Sequence, residues 1–403
     1  MNNYTLCLYT AQFPYGLGEQ FIETEITYLA QAFERVVIIP AAAEGTPRPL
    51  PANVEVRMID YSGYSTVKGL RYVGFWIRHC INDVRRSTNK RLAISTLLRV
   101  GYQASVLHSF LKSNQLLGKA LHYTYWFNEQ STLLAIIKEK KMIDRFISRA
   151  HGFDLYEERN FFGYIPFRKL QLHYVSKLYL IAADGLDYMQ EKYPAYKNKY
   201  EVSHLGVEQK HPFEAKVNHS DTYTLVSCSR MVDIKRVYLI VEALAQIKNI
   251  PIHWVHFGNG PLFAEIKRLS QKLLPLSIEA ELKGHVDNIE IFNYYRNCQP
   301  DCFINVSSTE GLPVSIMEAL SFGIPVVATN VGGTSEIVNN LTGKLIPSDS
   351  SGTFIANAII NIFKTHSRSS KQRSKIRDFW HQNFNARNNY STFTSIISNE
   401  KTL

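Results

Sequence analysis

The chain has 403 residues, of which 45% are hydrophobic and 20% charged, and it carries a formal net charge of +10. That balance excludes a disordered chain, and the length exceeds what one hydrophobic core ordinarily fills, so two domains are expected. The five cysteines (Cys7, Cys80, Cys228, Cys298, Cys302) are odd in number and form no C-x-x-C pair, which argues against a disulfide framework or a structural zinc site and predicts reduced thiols.

Taken in order, short apolar runs alternate with longer amphipathic stretches, the pattern of parallel strands flanked by helices, so the fold class is α/β. Met1 to Thr10 lacks a basic region followed by an apolar one, and no apolar run approaches the roughly 18 residues that cross a bilayer; a cytosolic protein is expected. Strands are predicted at Tyr4–Tyr9, Val36–Ile39, Val54–Met58, Leu121–Thr124, Phe146–Ser148 and Leu178–Ala182. Between the first two, Ile22, Ile26, Leu29 and Phe33 recur at helical spacing. Between Lys68 and Arg99, eight basic residues face a single acid, Asp83, and are interleaved with aromatic and aliphatic side chains. Such a segment suits a peripheral contact with an anionic membrane surface, and equally a solvated basic helix that packs its aromatics inward.

The second half restarts the pattern, with strands at Thr222–Ser227, His253–Phe257, Ile278–Leu282, Cys302–Val306 and Pro325–Ala328. A helix carrying Val237, Ile240, Val241, Leu244 and Ile247 on one face is expected after the first of these. The expected organisation is a first domain over 1–207, a polar linker over 208–221, a second domain over 222–380, and a C-terminal helix over 381–403 packing back on the first domain.

The segment TEGLPVSIMEALSFG, from Thr309 to Gly323, places Glu310 and Glu318 eight positions apart across a helix start. Pro313 suits a first helical turn, where a missing N–H is not missed, and free amides with the positive end of a helix dipole attract phosphate. Two carboxylates beside such an anion site fit a sugar joined to a nucleoside diphosphate, because an ionised carboxylate accepts hydrogen bonds from adjacent hydroxyls. Other polar residues follow predicted strands: Arg230 and Lys235, Gly258 and Gly260 in FGNGPL, Gly284, His285 and Val286 in LKGHVDN, His151 in HGFDL, and Gly16 and Gly18 in FPYGLGEQF. Carboxyl ends of strands are where open α/β sheets bind ligands. The glycine loop is not a G-x-G-x-x-G fingerprint, since Phe21 stands at the last position.

These motifs together (SRMVDIKRVYLIVEAL, FGNGPL, LKGHVDN, TEGLPVSIMEALSFGIPVVATNVGGTSEIV and HGFDL) resemble the retaining glycosyltransferases of family 4. The resemblance implies the GT-B architecture of two Rossmann-like domains facing a cleft. It assigns Glu310 to the donor sugar, Glu318 to the ribose of the nucleotide, and Arg230 and Lys235 to the diphosphate. The amides near Gly311, Leu312, Val314 and Ser315 are assigned to sugar and phosphate oxygens, His285 and Val286 to the nucleobase, His151 to the donor sugar, and the Gly16–Gly18 loop to acceptor and donor phosphates. It also implies retention at the anomeric carbon without an enzymatic nucleophile. The absence of any D-x-D sequence predicts no metal, and no cofactor is expected. The expected partners are a nucleotide-sugar donor and a glycan or lipid-linked oligosaccharide acceptor. Two other readings are a nucleotide-sugar epimerase, and a basic nucleic-acid-binding protein, for which no recognised module appears. Tyr123, Tyr125 and Trp126 crowd after a strand and take either a sugar-facing or a core role.

Overall fold

The structure, a computed structural model, describes residues 2–16, 18–65, 67, 85, 90–118, 120–160, 163–209 and 214–399. Most of the basic segment from Lys68 to Arg99 lies outside them. Of its members that are described, Arg85, Lys90 and Arg91 are exposed, and Arg99 pairs with Glu129 at 2.9 Å.

The chain forms two compact units, Met1–Ser203 with Tyr390–Leu403, and His204–Asn389. The first unit is built on seven strands: β1 (Asn2–Thr10), β2 (Phe33–Pro40), β3 (Val54–Val56), β4 (Ala120–Thr124), β5 (Phe146–Ala150), β6 (Lys177–Leu180) and β7 (Tyr200–Val202). They pair in parallel in the order β3-β2-β1-β4-β5-β6-β7. Parallel strands covered on both faces read as continuous apolar runs, which is why these segments were legible. Along β1 the side chains divide with period two: Cys7 and Tyr9 enter one core with Val37 and Ile39, whereas Leu6 and Leu8 enter the opposite core with Val36 and Ile38. Helix α1 (Phe21–Ala32) supplies Ile22, Ile26 and Leu29 to the second of these cores, joined there by Phe393 and Ile397 of the last helix.

The second unit has six parallel strands: β8 (Tyr223–Cys228), β9 (Ile252–Phe257), β10 (Ile278–Gly284), β11 (Cys302–Asn305), β12 (Val326–Thr329) and β13 (Gly343–Ile346). Their order is β10-β9-β8-β11-β12-β13. Val237, Ile240, Val241 and Leu244, from the helix Val237–Ala245, are buried against this sheet, and Ile247 follows in the same core. Both units therefore have the α/β form that the sequence pattern predicts and the Rossmann-like form that the family resemblance implies.

Two strands escaped the sequence reading, β7 and β13. Each has only three or four residues and sits at a sheet edge, where a short, partly exposed segment gives little periodic signal. Several predicted bounds also shift by one to three residues; Val54–Met58, for example, ends as a strand at Val56. In each sheet the strand order reverses beside the unit's first strand, between β1 and β4 and between β8 and β11. Open α/β sheets bind ligands outside the carboxyl ends of the strands at such a reversal.

Candidate functional site

In the second unit, β11 ends in a buried Asn305, whose side chain bridges the turn that follows. Its Oδ1 accepts from the Ser307 amide at 3.0 Å and its Nδ2 donates to Glu310 Oε1 at 3.0 Å. The Lys235 ammonium donates to the same Oε1 at 2.7 Å, with only 23% of the lysine side chain and 10% of the glutamate side chain exposed. Two donors converging on one largely buried oxygen fix the orientation of the carboxylate.

Lys235 is positioned by its neighbour. Arg236 has a left-handed backbone, φ 46°, and its guanidinium donates to three carbonyl oxygens: Val306 at 2.8 Å, Ser307 at 3.0 Å and Ser348 at 2.7 Å. The loop after β8 is thereby tied to the loop after β11, reinforced by the Ser308 amide on Ile234 O at 2.8 Å. The backbone approaches closely on the other side as well. A Cβ on Gly332, at φ +51°, would lie 2.2 Å from Glu310 O, so only glycine fits there. Gly258 is equally constrained, since its Cβ would meet Ser229 O at 1.9 Å, which explains the FGNGPL glycine as a packing requirement of the Arg230 loop.

Pro313 caps the helix Val314–Ser321 from an extended conformation instead of occupying its first turn. The amides of Val314 and Ser315, at the start of that helix, have no acceptor within it, and both residues are partly exposed. Leu312 is 4% exposed, and Gly311 O accepts from the Gly333 amide at 2.8 Å. One turn further on, Glu318 is 8% exposed, and its Oε1 accepts from Asn288 Nδ2 at 2.9 Å. Burial pushes its carboxyl up from 4.5 to about 7, with the Asn288 hydrogen bond opposing the rise. The Cys228 thiol, at the end of β8, is pushed up to about 12 by burial and by the Glu318 carboxylate, with Lys235 opposing. This thiol is therefore protonated at neutral pH.

The structure thus brings Lys235 and Glu310 into contact and sets Glu318 on the same helix start. Arg230 is exposed and makes no ion pair among the described residues, and His285 is exposed with Val286 partly so. Asn305, Arg236 and Asn288 were not singled out from the sequence. For Asn288 a signal was present, since it closes the LKGHVDN motif; a polar residue ending the apolar run of β11 was the comparable cue for Asn305.

In the first unit, His151 follows β5 and is 7% exposed. Its ring packs against Trp126 and Tyr125 with centroids 4.4 Å and 4.9 Å away. Its Nδ1 stands 3.6 Å from Asp154 Oδ2, beyond hydrogen-bonding reach, and neither ring nitrogen has a hydrogen-bond partner. Asp154 organises the turn, accepting from the amides of His151, Gly152 and Phe127, each at 2.9 Å. Burial alone would raise its carboxyl; the facing imidazole and the amides hold it below its ordinary value. Tyr123 and Tyr125 are core residues, fully buried.

The Gly16–Gly18 loop is held by two residues not singled out from the sequence. Buried Glu19 accepts from the amides of Ala11 at 3.0 Å and of Gln12 and Phe13 at 2.7 Å, and from the Trp126 indole. Arg48 donates to Gly16 O at 2.7 Å and also to Gly18 O. Leu17 lies outside the described residues. Through Trp126, His151 and the glycine loop belong to one cluster at the carboxyl ends of β1, β4 and β5. Among the described residues, no cluster of three or more His, Cys, Asp and Glu could hold a metal ion, and no helix is long and apolar enough to cross a membrane.

Comparison with known proteins bears on this geometry. Residues 209–379, which lie in the second unit, match the family described as Glycosyl transferases group 1. The chain is 27% identical over 209 residues to a protein of Escherichia coli (strain K12) named as a colanic acid biosynthesis glycosyltransferase, covering 49% of this chain and 50% of that protein. It is 26% identical over 162 residues to the amylovoran biosynthesis glycosyltransferase AmsK of Erwinia amylovora, covering 37% of this chain and 38% of that protein. The chain thus spans half or less of the length of these curated relatives. Among solved structures, Anabaena Alr3699/HepE in complex with UDP aligns over 98% of this chain and 99% of its own, with TM-score 0.66 and 15% identity, a likeness of fold.

Proposed function

We propose that this chain is a glycosyltransferase of the GT-B class that moves a sugar from a nucleoside diphosphate donor to a glycan acceptor, with retention at the anomeric carbon. The observation that carries the reading is the convergence of Lys235 and Asn305 on Glu310, one helical start away from the buried Glu318, at the carboxyl end of β11 where the second sheet reverses its order. The group 1 match over 209–379 spans these residues, and the relatives named for colanic acid and amylovoran biosynthesis support a role in surface polysaccharide synthesis. They also count against the epimerase reading.

In this proposal Glu310 contacts the donor sugar and Glu318 accepts from the ribose hydroxyls. As the glycosidic bond breaks, negative charge grows on the β-phosphate oxygen. Exposed Arg230, Lys235 and the amides of Leu312, Val314 and Ser315 stabilise it without reorganisation. Lys235 enters this role from its pair with Glu310, so the pair orients both groups before the donor arrives. No side chain is assigned as a nucleophile; the departing phosphate assists deprotonation of the acceptor on the same face. His285 and Val286 are assigned to the base; within the first unit, His151 is assigned to the donor sugar and the Gly16–Gly18 loop to acceptor and donor phosphates. Transfer is proposed to need no metal. The basic, aromatic stretch between Lys68 and Arg99 supports a lipid-linked acceptor at the inner face of a membrane.

The test is a nucleotide-release screen over a panel of nucleotide sugars, with and without membrane lipid extract, repeated in EDTA. Release that depends on one donor, rises with lipid extract and persists in EDTA is expected. Glu310→Gln should lower turnover about 10²–10³-fold, the scale for losing one group aimed at transition-state charge. Full turnover in that variant would overturn the assignment of Glu310, and donor consumption without transfer would favour an epimerase.

A further inference from the structure

The motif that starts at Thr309 has a far end, Gly332–Glu336, to which no donor contact is assigned. It forms a turn after β12 and enters a one-turn helix, Thr334–Ile337. The turn lies directly on the backbone beside Glu310. Gly332 approaches Glu310 O too closely for any Cβ, and the Gly333 amide donates to Gly311 O at 2.8 Å. Lys235 and Asn305 hold the Glu310 side chain, and this turn seats its main chain.

A helix of four residues is too short to hold itself in place. Ile337 is fully buried, and Glu336 Oε2 stands 2.9 Å from His204 Nε2. A carboxylate oxygen only accepts, so the ring donates from Nε2. His204 is itself fixed by its neighbours. It opens the second unit, and the residues after it are laid against Phe384–Asn389 of the same unit. Leu205 O accepts from Asn389 Nδ2 at 2.9 Å, the Val207 amide donates to Phe384 O at 2.9 Å, and the Ala386 amide donates to Val207 O at 3.0 Å. The His204 ring lies 5.6 Å from that of Phe384. A pair between two solvated side chains would contribute little; here 18% of the glutamate and 32% of the histidine side chain are exposed, and the histidine backbone is held in register.

We infer that His204 and Glu336 are a positioning pair for the donor sugar: together they hold the Gly332–Gly333 turn on the Glu310–Gly311 backbone and so set where the Glu310 carboxylate meets the sugar. The inference rests on the reading of Glu310 as the donor-sugar contact. Glu318 and Asn288 stand on other elements, the helices Val314–Ser321 and Asn288–Cys298, so the effect falls on the sugar half of the donor and spares the nucleoside half.

The experiment uses the full chain as wild type, His204→Ala, Glu336→Ala, the double variant and Glu336→Gln. Nucleotide release is measured over the nucleotide-sugar panel with lipid extract, and UDP and GDP binding by titration calorimetry. Turnover is expressed per nucleotide site found in the titration, so any unfolded fraction drops out. At saturating donor each alanine variant should lose about tenfold in turnover, within the roughly 10²-fold that a misplacement of about 1 Å costs. Affinity for UDP or GDP should stay within about twofold of wild type. The double variant should be no slower than the slower single one, because the same contact is lost in each, and Glu336→Gln, which keeps an acceptor oxygen, should recover most of the turnover. A general loss of packing would lower turnover and nucleotide affinity together. Variants that match wild type, single effects that multiply in the double variant, or UDP and GDP affinity that falls in step with turnover would overturn the pair and leave the transferase reading standing. Wild type that binds UDP or GDP but releases nucleotide from no donor would overturn the transferase reading, and this role with it.

Discussion

Glu318 offers a test in which stability and binding move in opposite directions. Its carboxyl ionises near 4.5 in the ordinary state and at about 7 in the fold, because burial penalises the charge. The fold retains a proton that the unfolded chain has lost, so stability falls as pH rises from about 4.5 to about 7 and then levels. From that shift, the cost of holding the carboxylate is about 3 kcal/mol at pH 8 and about 1 kcal/mol at pH 5. Glu318→Gln keeps an oxygen to accept from Asn288 and cannot ionise. The variant should therefore be more stable than wild type by about 3 kcal/mol at pH 8, or about 6–12 °C in the melting temperature of a unit this size, and the gap should narrow to about 1 kcal/mol at pH 5. Its affinity for nucleoside diphosphates should fall about 10–100-fold, because the lost acceptor is the charged one. Scanning calorimetry at the two pH values and titration calorimetry with a nucleoside diphosphate panel measure both. A variant no more stable than wild type at pH 8, or a gap that does not change with pH, would refute the reasoning, since the carboxylate would then be well solvated or paired.

Three further outcomes follow from contacts in the structure. Arg236→Gly preserves the left-handed backbone but removes three carbonyl contacts; we expect a net stability loss of about 1–3 kcal/mol by urea unfolding and a lower turnover, because Lys235 loses its fixed neighbour. Arg230→Ala, at an exposed position, should leave stability within about 0.5 kcal/mol while weakening nucleoside diphosphate binding about tenfold by titration calorimetry. In the first unit, Arg149 and Glu25 form a fully buried ion pair at 2.6 Å, with Arg149 lying 4.3 Å from the centroid of the Phe393 ring. Arg149→Met should destabilise by about 3–5 kcal/mol because it strands the carboxylate, and adding Glu25→Leu should recover much of that loss; a double variant as unstable as the single one would contradict this.

The α/β class, eleven of the thirteen strands among the described residues and the strand ends at which polar residues gather are legible in the amino-acid order alone, because buried parallel strands are continuous apolar runs and their helices repeat at 3.6 residues. That order also presents the Glu310–Glu318 spacing and the His151 turn, both local in the chain. What those residues meet depends on packing between segments distant in the chain. Lys235 reaches Glu310 across 75 positions, Asn288 reaches Glu318 across 30, and Trp126 reaches Glu19 across 107. The loops that carry them have no periodicity of their own. Their partners are set by strand order, which brings β8 beside β11 and β1 beside β4 although helices and further strands intervene in the chain. The elevated Glu318 carboxyl has the same origin, since burial is a property of the packed sheet and helix and cannot be read from the residues on either side.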